Sequence, residues 1–188
     1  MNKPFAITLD PGSSLANRTG SWRTERPVYG DRLPPCNNQC PAGEDIQGWL
    51  FHAESGNYEK AWQHLTKDNP FPAIMGRVCY HTCEGACNRA NLDAAVGINS
   101  VERFLGDEAI KRGWKLVQPA AESGKHVLIV GGGPSGMAAA YHLRRLGHRV
   151  TVYEAGPMLG GMMRFGIPKY RLPREVLDAE MQRVVDMG

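Results

Sequence analysis

Residues 126–137 read HVLIVGGGPSGM, a short apolar run followed at once by a glycine-rich turn. The apolar run predicts a short β-strand, and the alanine-rich stretch after the turn, 137–146, predicts a helix. A second apolar run at 149–153 predicts a parallel partner strand, so the three elements form a βαβ unit. This part of the chain is therefore predicted to be the first half of an α/β, Rossmann-like domain.

The glycines of the turn fit the pattern G-x-G-x-x-G, placed directly after a strand and directly before a helix. The first glycine permits the tight turn, the second lets the backbone approach a pyrophosphate, and the third lets helix and strand pack closely. Glu154 ends the second strand, where a carboxylate can accept hydrogen bonds from an adenosine ribose. We therefore predict a dinucleotide site, with a tight turn in some other α/β protein as the alternative. The candidate binding residues are Gly131, Gly132, Gly133, Pro134, Ser135, Gly136 and Glu154.

The residues after Glu154 bear on which dinucleotide binds. They read AGPMLGGM at 155–162, and a glutamate followed by a Gly-Gly pair is typical of FAD-binding flavoproteins with two dinucleotide domains. The spacing alone does not distinguish such a site from a plain surface loop. If FAD binds, the further candidate contacts are Ala155, Leu159, Gly160, Gly161, Met162 and Arg171, the last with phosphate or flavin.

The first half of the chain has helical periodicity instead. Apolar residues at three- and four-residue spacing predict helices over 46–53, 58–65 and 101–110, the last ending at Gly113. Two prolines within 69–75 are expected to break the pattern. The predicted organisation is an irregular N-terminal arm at 1–35, a helical domain at 36–114, a linker at 115–124 and a partial Rossmann-like domain at 125–188.

Five cysteines fall into two groups, Cys36 with Cys40, and Cys79 with Cys83 and Cys87. Those of the second group are four residues apart, so on a helix their thiols would share one face. The stretch CNNQCP at 36–41 is similar to the tail of a ferredoxin-type run, in which the cysteine before proline ligates a different cluster from its neighbours. We therefore predict one 4Fe-4S cluster held by Cys40, Cys79, Cys83 and Cys87. A structural zinc site and buried free thiols are the alternatives.

Other side chains are given structural roles. Asn99 and Glu102 resemble a capping box at the start of the long helix. Trp49 and Trp62 lie on apolar helix faces and are expected in the core. His81, inside the cysteine motif, is expected to be solvated or packed, with a hydrogen bond that tunes a nearby cluster as the alternative.

Composition excludes several classes of protein. Of 188 residues, 42% are hydrophobic and 22% charged, as in an ordinary globular protein. The net charge of +3 is too small to favour nucleic acid or an acidic membrane surface as a partner. The longest apolar run, 127–130, is too short to span a bilayer, and residues 1–10 do not resemble a secretory signal. An odd cysteine count argues against a disulfide framework, and a cytoplasmic location is expected.

The two motifs in this order resemble the N-terminal part of the glutamate synthase small-subunit family, which comprises NADPH-dependent FAD and iron–sulfur oxidoreductases. Dihydropyrimidine dehydrogenase carries the same two modules. The resemblance runs from about Pro35 to Gly188 and rests on GRVC at 76–79, CEGAC at 83–87, GGGPSG at 131–136 and the Gly-Gly pair. It implies that NADPH reduces FAD and that clusters in a helical domain carry electrons to a partner. The expected role is therefore an electron-transfer module of an enzyme, with no residue of the chain acting as catalytic acid, base or nucleophile.

Two departures from the family pattern modify this expectation. Val28 and Asp31 stand where the family usually has two further cysteines, so a complete second cluster is not expected and Cys36 is left without an assigned role. In one branch of the family a polar side chain matching Glu102 helps to hold that second cluster. No second glycine fingerprint follows, so NADPH is expected to bind only through a domain absent from this chain. The alternative is a non-catalytic interaction subunit with a zinc site and an empty dinucleotide fold.

Overall fold

The computed structural model of the chain describes residues 34–119 and 121–188. The predicted N-terminal arm, with Val28 and Asp31, lies outside the described residues except for Pro34 and Pro35. In the described part of the chain, no helix combines the length and the apolar character that crossing a membrane requires.

The cysteine-bearing half folds into helices joined by short loops. Its elements are α1 (Pro35–Gln39), α2 (Ile46–Glu54), α3 (Tyr58–Leu65), α4 (Pro72–Val78), α5 (Thr82–Gly85), a 3-10 turn (Asn88–Asn91) and α6 (Ile98–Arg112). The three predicted helices are confirmed as α2, α3 and α6. Helix α6 ends at Gly113, whose φ of 66° is a left-handed conformation that glycine adopts without steric cost.

Of two further expectations for this half, one holds and one is wrong. Helix α3 ends at Leu65, before the prolines of 69–75, as expected, and Pro72 then begins a new helix, α4, at the first helical position, where a missing N–H costs no hydrogen bond. Asn99 and Glu102 do not form a capping box, because α6 begins at Ile98 and both residues lie inside it. Its N-cap residue is Gly97, which has no side chain to donate or accept a bond.

Helices α4 and α6 cross in close contact at two glycines. A β-carbon on Gly106 would lie 2.3 Å from the backbone nitrogen of Ala73, and one on Gly76 would lie 2.5 Å from the Cα atom of Arg103. At these two points the helix backbones are in direct contact, and the Arg77 side chain on α4 also pairs with Asp107 on α6. Trp49 and Trp62 are fully buried in the hydrophobic core, as predicted.

The second half forms the predicted βαβ unit. Strand β1 (His126–Val130) pairs in parallel with β2 (Arg149–Tyr153), with His126 opposite Arg149 and Val130 opposite Tyr153. Helix α7 (Pro134–Arg145) connects them, followed by α8 (Gly161–Phe165) and α9 (Arg174–Val185). Short α8 was not predicted. The predicted fold class, a helical domain followed by the start of a Rossmann-like domain, is confirmed.

The two halves are joined by buried polar contacts. Both carboxylate oxygens of Glu180, on α9, accept backbone N–H groups of α4, from Ala73 and Ile74, each at 2.9 Å. The hydroxyl of Tyr141, on α7, donates to the carbonyl oxygen of Thr66. Through such contacts Pro34–Gly188 forms one compact unit.

Candidate functional site

Three of the four predicted cluster ligands line one cavity of about 300 Å³. Cys40 follows α1, Cys79 follows α4, and Cys83 lies within α5. Most of the remaining wall is apolar, and burial raises the pKa of the Cys83 thiol to about 12. Thiols brought together from three separate segments form the type of donor set that soft metals and iron–sulfur clusters bind.

Cys87 and Cys36 are placed differently from these three. Neither lines the cavity, and residues 79–87 do not form one continuous helix, because Cys79 and Cys87 both have extended backbone on either side of α5. A hydrogen bond from the backbone N–H of Val96 lowers the pKa of Cys87. Burial raises the pKa of Cys36, and the nearby Cys87 thiolate adds to that rise. Within the described residues, no three Cys, His, Asp or Glu side chains form a ready-made site for a single metal ion.

A buried polar network forms one wall of the cavity. The side-chain amide of Asn69 donates to Glu44 Oε1 at 2.9 Å and to Glu102 Oε1 at 2.7 Å. The indole N–H of Trp49 donates to the other oxygen of Glu44 at 3.3 Å. Burial, together with the charge of Glu44, raises the pKa of Glu102 to about 9. Glu102 therefore faces the cysteine cavity instead of capping a helix.

The predicted dinucleotide turn has the backbone geometry that its glycines suggest. Gly131 has a φ of 103°, which strongly favours glycine. A β-carbon on Gly136 would lie 1.9 Å from the carbonyl oxygen of Gly131, so the helix can approach the strand only because this position is glycine. Pro134 begins α7 and Ser135 follows it, which places both at the helix end that faces a phosphate group in this fold.

The Gly-Gly pair lies against the first glycine motif. The backbone N–H of Gly160 donates to the carbonyl oxygen of Gly132 at 2.8 Å. A β-carbon on Gly161 would lie 2.8 Å from the Cα atom of Gly133. Two segments that the sequence separates by some thirty residues thus meet backbone to backbone, and together they form one glycine-lined surface.

Glu154 holds this surface together at the end of β2. Its two carboxylate oxygens accept the backbone N–H groups of Gly132 and Gly156, each at 2.7 Å. These bonds, that of Gly156 first, lower the pKa of Glu154, so the side chain is held as a carboxylate. Among the other predicted contacts, Leu159 packs beside Gly132, whereas Ala155, Met162 and Arg171 are exposed.

Sequence reasoning missed a buried arginine that supports this loop. Arg164, on α8, donates from Nε to the carbonyl oxygen of Leu159 at 2.6 Å and pairs with Asp178 on α9. The signal available in the sequence is one charged residue within the apolar stretch MMRFGI at 162–167. The other missed residues, Glu44 and Asn69, have no such signal, because their contacts join residues 25 and 33 positions apart.

The two candidate sites share a wall. Pro134 and Ala138, from the first turns of α7, line the cavity that also contains the three cysteines. The helix that begins at the glycine motif is therefore also the boundary of the cysteine site. The first turns of α7 thus border both the cysteine cavity and the glycine motif.

Comparison with known proteins agrees with both motifs. Residues 24–114 match the family described as dihydropyrimidine dehydrogenase domain II, 4Fe-4S cluster, and residues 129–187 match the NAD(P)-binding Rossmann-like domain. The chain is similar to the NADP(+)-dependent formate dehydrogenase subunit beta of Moorella thermoacetica, with 36% identity over 82% of this chain and 25% of the relative. It is also similar to the NAD-dependent dihydropyrimidine dehydrogenase subunit PreT of Escherichia coli, with 36% identity over 82% of this chain and 38% of the relative.

A further relative is the NADPH-Fe(3+) oxidoreductase subunit beta of Geobacter sulfurreducens, with 37% identity over 82% of this chain and 23% of the relative. The chain spans well under half the length of each of these curated relatives.

Proposed function

We propose that this chain is the electron-transfer module of a flavin- and iron–sulfur-dependent enzyme. The chain is a relative of the glutamate synthase small-subunit-like and dihydropyrimidine dehydrogenase-like NAD(P)-dependent iron–sulfur oxidoreductases. The relationship confirms the resemblance predicted from the cysteine and glycine motifs. The observation that carries the proposal is the wall shared by the cysteine cavity and the glycine-lined surface. One-electron and hydride chemistry belong to the cofactors, and the protein supplies their positions and surroundings.

The cysteine cavity is the proposed site of one 4Fe-4S cluster. Cys40, Cys79 and Cys83 would each supply a thiolate, and the apolar wall would keep water from the cluster. A bound cluster would supply one-electron transfer. The donor set fits such a group, because three thiols from separate segments converge on one space.

The fourth ligand has two candidates. The cysteine spacing predicts Cys87, which would need to move toward the cavity from its extended segment. Glu102 already lines the cavity together with Cys79 and Cys83. In this conformation its carboxylate is therefore favoured over Cys87 as the fourth ligand. Separate replacement of each candidate ligand distinguishes them, because loss of the true ligand removes iron while loss of the other does not.

The glycine-lined surface is the proposed site of FAD. The family match describes NAD(P) binding, and the feature that favours FAD is the Gly-Gly pair lying against the first glycine motif. Gly131–Gly136 would receive the pyrophosphate at the start of α7, and the Glu154 carboxylate would accept the ribose hydroxyls. Exposed Ala155, Met162 and Arg171, with Leu159, would contact the remainder of the flavin nucleotide. We propose NAD(P)H as electron donor, through a domain outside this chain, and a partner subunit or domain as acceptor.

The test is anaerobic purification followed by iron, sulfide, zinc and flavin determination on one sample. We expect about four irons and four sulfides per chain, lost in Cys83→Ser and retained in Cys36→Ser. FAD should bind in preference to NAD(P)H. Zinc without sulfide would contradict the cluster, and NAD(P)H binding without FAD would contradict the flavin assignment.

A further inference from the structure

His81 has a backbone conformation that residues with a β-carbon rarely adopt. It lies between Cys79 and Cys83, with φ of 42° and ψ of 48°, in the left-handed region. Among the described residues it is the one non-glycine residue with a positive φ. Because a β-carbon disfavours this region, the surrounding contacts must hold the residue there, and such residues concentrate at functional sites.

The left-handed turn directs a hydrogen bond at a cysteine. The backbone N–H of His81 donates to the Cys79 sulfur at 3.3 Å. Hydrogen bonds to ligating sulfurs are among the features that set the reduction potential of an iron–sulfur cluster, because they stabilise negative charge on sulfur. The position of this one N–H is therefore able to affect the redox behaviour of whatever Cys79 binds.

The ring of His81 supplies the contact that holds the turn. Its Nδ1 atom lies 3.0 Å from Glu84 Oε2. The other oxygen of Glu84 accepts the backbone N–H of Asn99, in the first turn of α6, at 2.8 Å. Through Glu84 the ring is thus anchored to the helix that carries Glu102.

A second hydrogen bond connects the same loop to the segment that carries Cys40. The hydroxyl of Thr82, the residue after His81, donates to the carbonyl oxygen of Gln39 at 3.0 Å. Gln39 directly precedes Cys40. The loop around His81 is therefore connected to all three segments that carry the cavity cysteines.

We propose that His81 is a positioning residue. Its ring, held by Glu84, keeps the His81 backbone left-handed, and this conformation directs the His81 N–H at the Cys79 sulfur. The hydrogen bond in turn regulates the reduction potential of the cluster and its retention by the protein. This inference rests on the proposed cluster. Glycine at this position would adopt the same φ without any side-chain contact. Histidine has a β-carbon that disfavours this φ, so its ring contact with Glu84 is needed to hold the conformation.

The experiment compares His81→Ala, which removes the ring but keeps the β-carbon, with His81→Gly, which removes both. Each full-length protein is prepared anaerobically, and the reduction potential and the rate of iron loss to a chelator are measured. We expect His81→Ala to lower the potential and to lose iron about tenfold faster, as replacement of a supporting residue around a metal typically does. His81→Gly should recover most of both properties, because glycine accepts the positive φ. The matched control is His126→Ala, at an exposed histidine on β1.

Wild-type values in His81→Ala would overturn the proposal. Equal impairment in His81→Gly would also overturn it, because the ring itself and not the backbone would then matter. Should His81→Ala fail to fold, Glu84→Gln weakens the same ring contact. This change also removes a negative charge beside the loop, which by itself raises the potential, so the readout for this variant is the rate of iron loss. We expect that rate to increase, and an unchanged rate would contradict the proposal. A wild-type chain that binds zinc or no iron would instead refute the proposed function.

Discussion

A β-carbon on Gly136 would lie 1.9 Å from the Gly131 carbonyl oxygen, whereas one on Gly133 would meet nothing nearer than 3.8 Å. Gly136→Ala should therefore lower the free energy of unfolding by about 2 kcal/mol or more, because backbone atoms must move apart. Gly133→Ala should change it little. Urea unfolding of the two variants, without added cofactor, measures the difference.

Gly133→Ala provides the matched test of binding. Its added methyl group would stand where the backbone is expected to approach a pyrophosphate, so FAD affinity should fall while stability is retained. An unchanged affinity would show that the phosphates lie elsewhere. Equal stability of both alanine variants would contradict the close approach of α7 to β1.

At the residue scale, the sequence predicts best what depends on near neighbours. The turn glycines and Glu154 contact one another within one βαβ unit, so spacing alone predicts that they lie together. Glu102 was misassigned because a local pattern, Asn99 followed by Glu102, suggested a cap, whereas its partner Asn69 is 33 residues away. Contacts between distant residues leave no periodic signal, and the buried network was therefore missed.

At the element scale, the crossing of α4 and α6 positions Cys79 at the end of one helix and Glu102 on the other. Gly106→Ala would place a methyl group 2.3 Å from the nitrogen of Ala73, and the helices would have to separate. We expect a loss of about 2 kcal/mol in the free energy of unfolding and weaker iron retention. Gly85→Ala, where a β-carbon meets nothing within 4 Å, is the control for denaturant unfolding, and equal stabilities of the two variants would argue against the crossing.

Glu180, on helix α9, should make the free energy of unfolding depend on pH. Burial raises the pKa of Glu180 to about 7, although Arg183 and Arg77 and two backbone N–H groups act in the opposite direction. The pKa of Glu180 in the folded protein exceeds the unfolded value of 4.5, so protonated Glu180 stabilises the folded state. This stabilisation is complete below pH 4.5 and is lost as the pH rises through 7. The contribution of Glu180 should fall by up to about 1.4 kcal/mol per pH unit over this window.

Glu180→Gln should make the pH dependence less steep, because an amide does not titrate, whereas buried Glu102, whose pKa is also raised, still does. The measurement is the free energy of unfolding at several pH values between 4.5 and 8, for wild type and variant. Glu175→Gln, exposed on the same helix, should follow the wild-type curve. Parallel curves for wild type and Glu180→Gln would show that Glu180 is ionised throughout this range.

Among the elements, those with regular apolar spacing were predicted and the short ones were not. Helices α2, α3 and α6 and the βαβ unit each follow a clear period. Helix α4 was not predicted because Pro70 and Pro72 suggest a break, although a proline is acceptable at the first helical position. Helix α8 has only five residues, too few to show a period, and depends on Arg164 and its contacts with the neighbouring loop and helix.

At the scale of the whole molecule, the helical half and the βαβ half share buried contacts, including the bonds of Glu180 to α4 and of Tyr141 to Thr66. We therefore expect one cooperative unfolding transition. In hydrogen-exchange measurements at increasing denaturant, the backbone amides of α2 and of β1 should exchange through the same global unfolding. Earlier release of β1 and β2 would show that the second half opens independently.

The wall shared by the two sites also limits how this chain can change over generations. Pro134 and Ala138 face the cysteine cavity from the helix that begins at the glycine motif, so selection at either site acts on both. A larger side chain at Ala138 would take up space in the cavity lined by the three cysteines, so we expect it to be accompanied by smaller residues elsewhere in that lining, which includes Phe71 and Met75. These positions should therefore be inherited as a linked set, with correlated substitutions across otherwise divergent descendants.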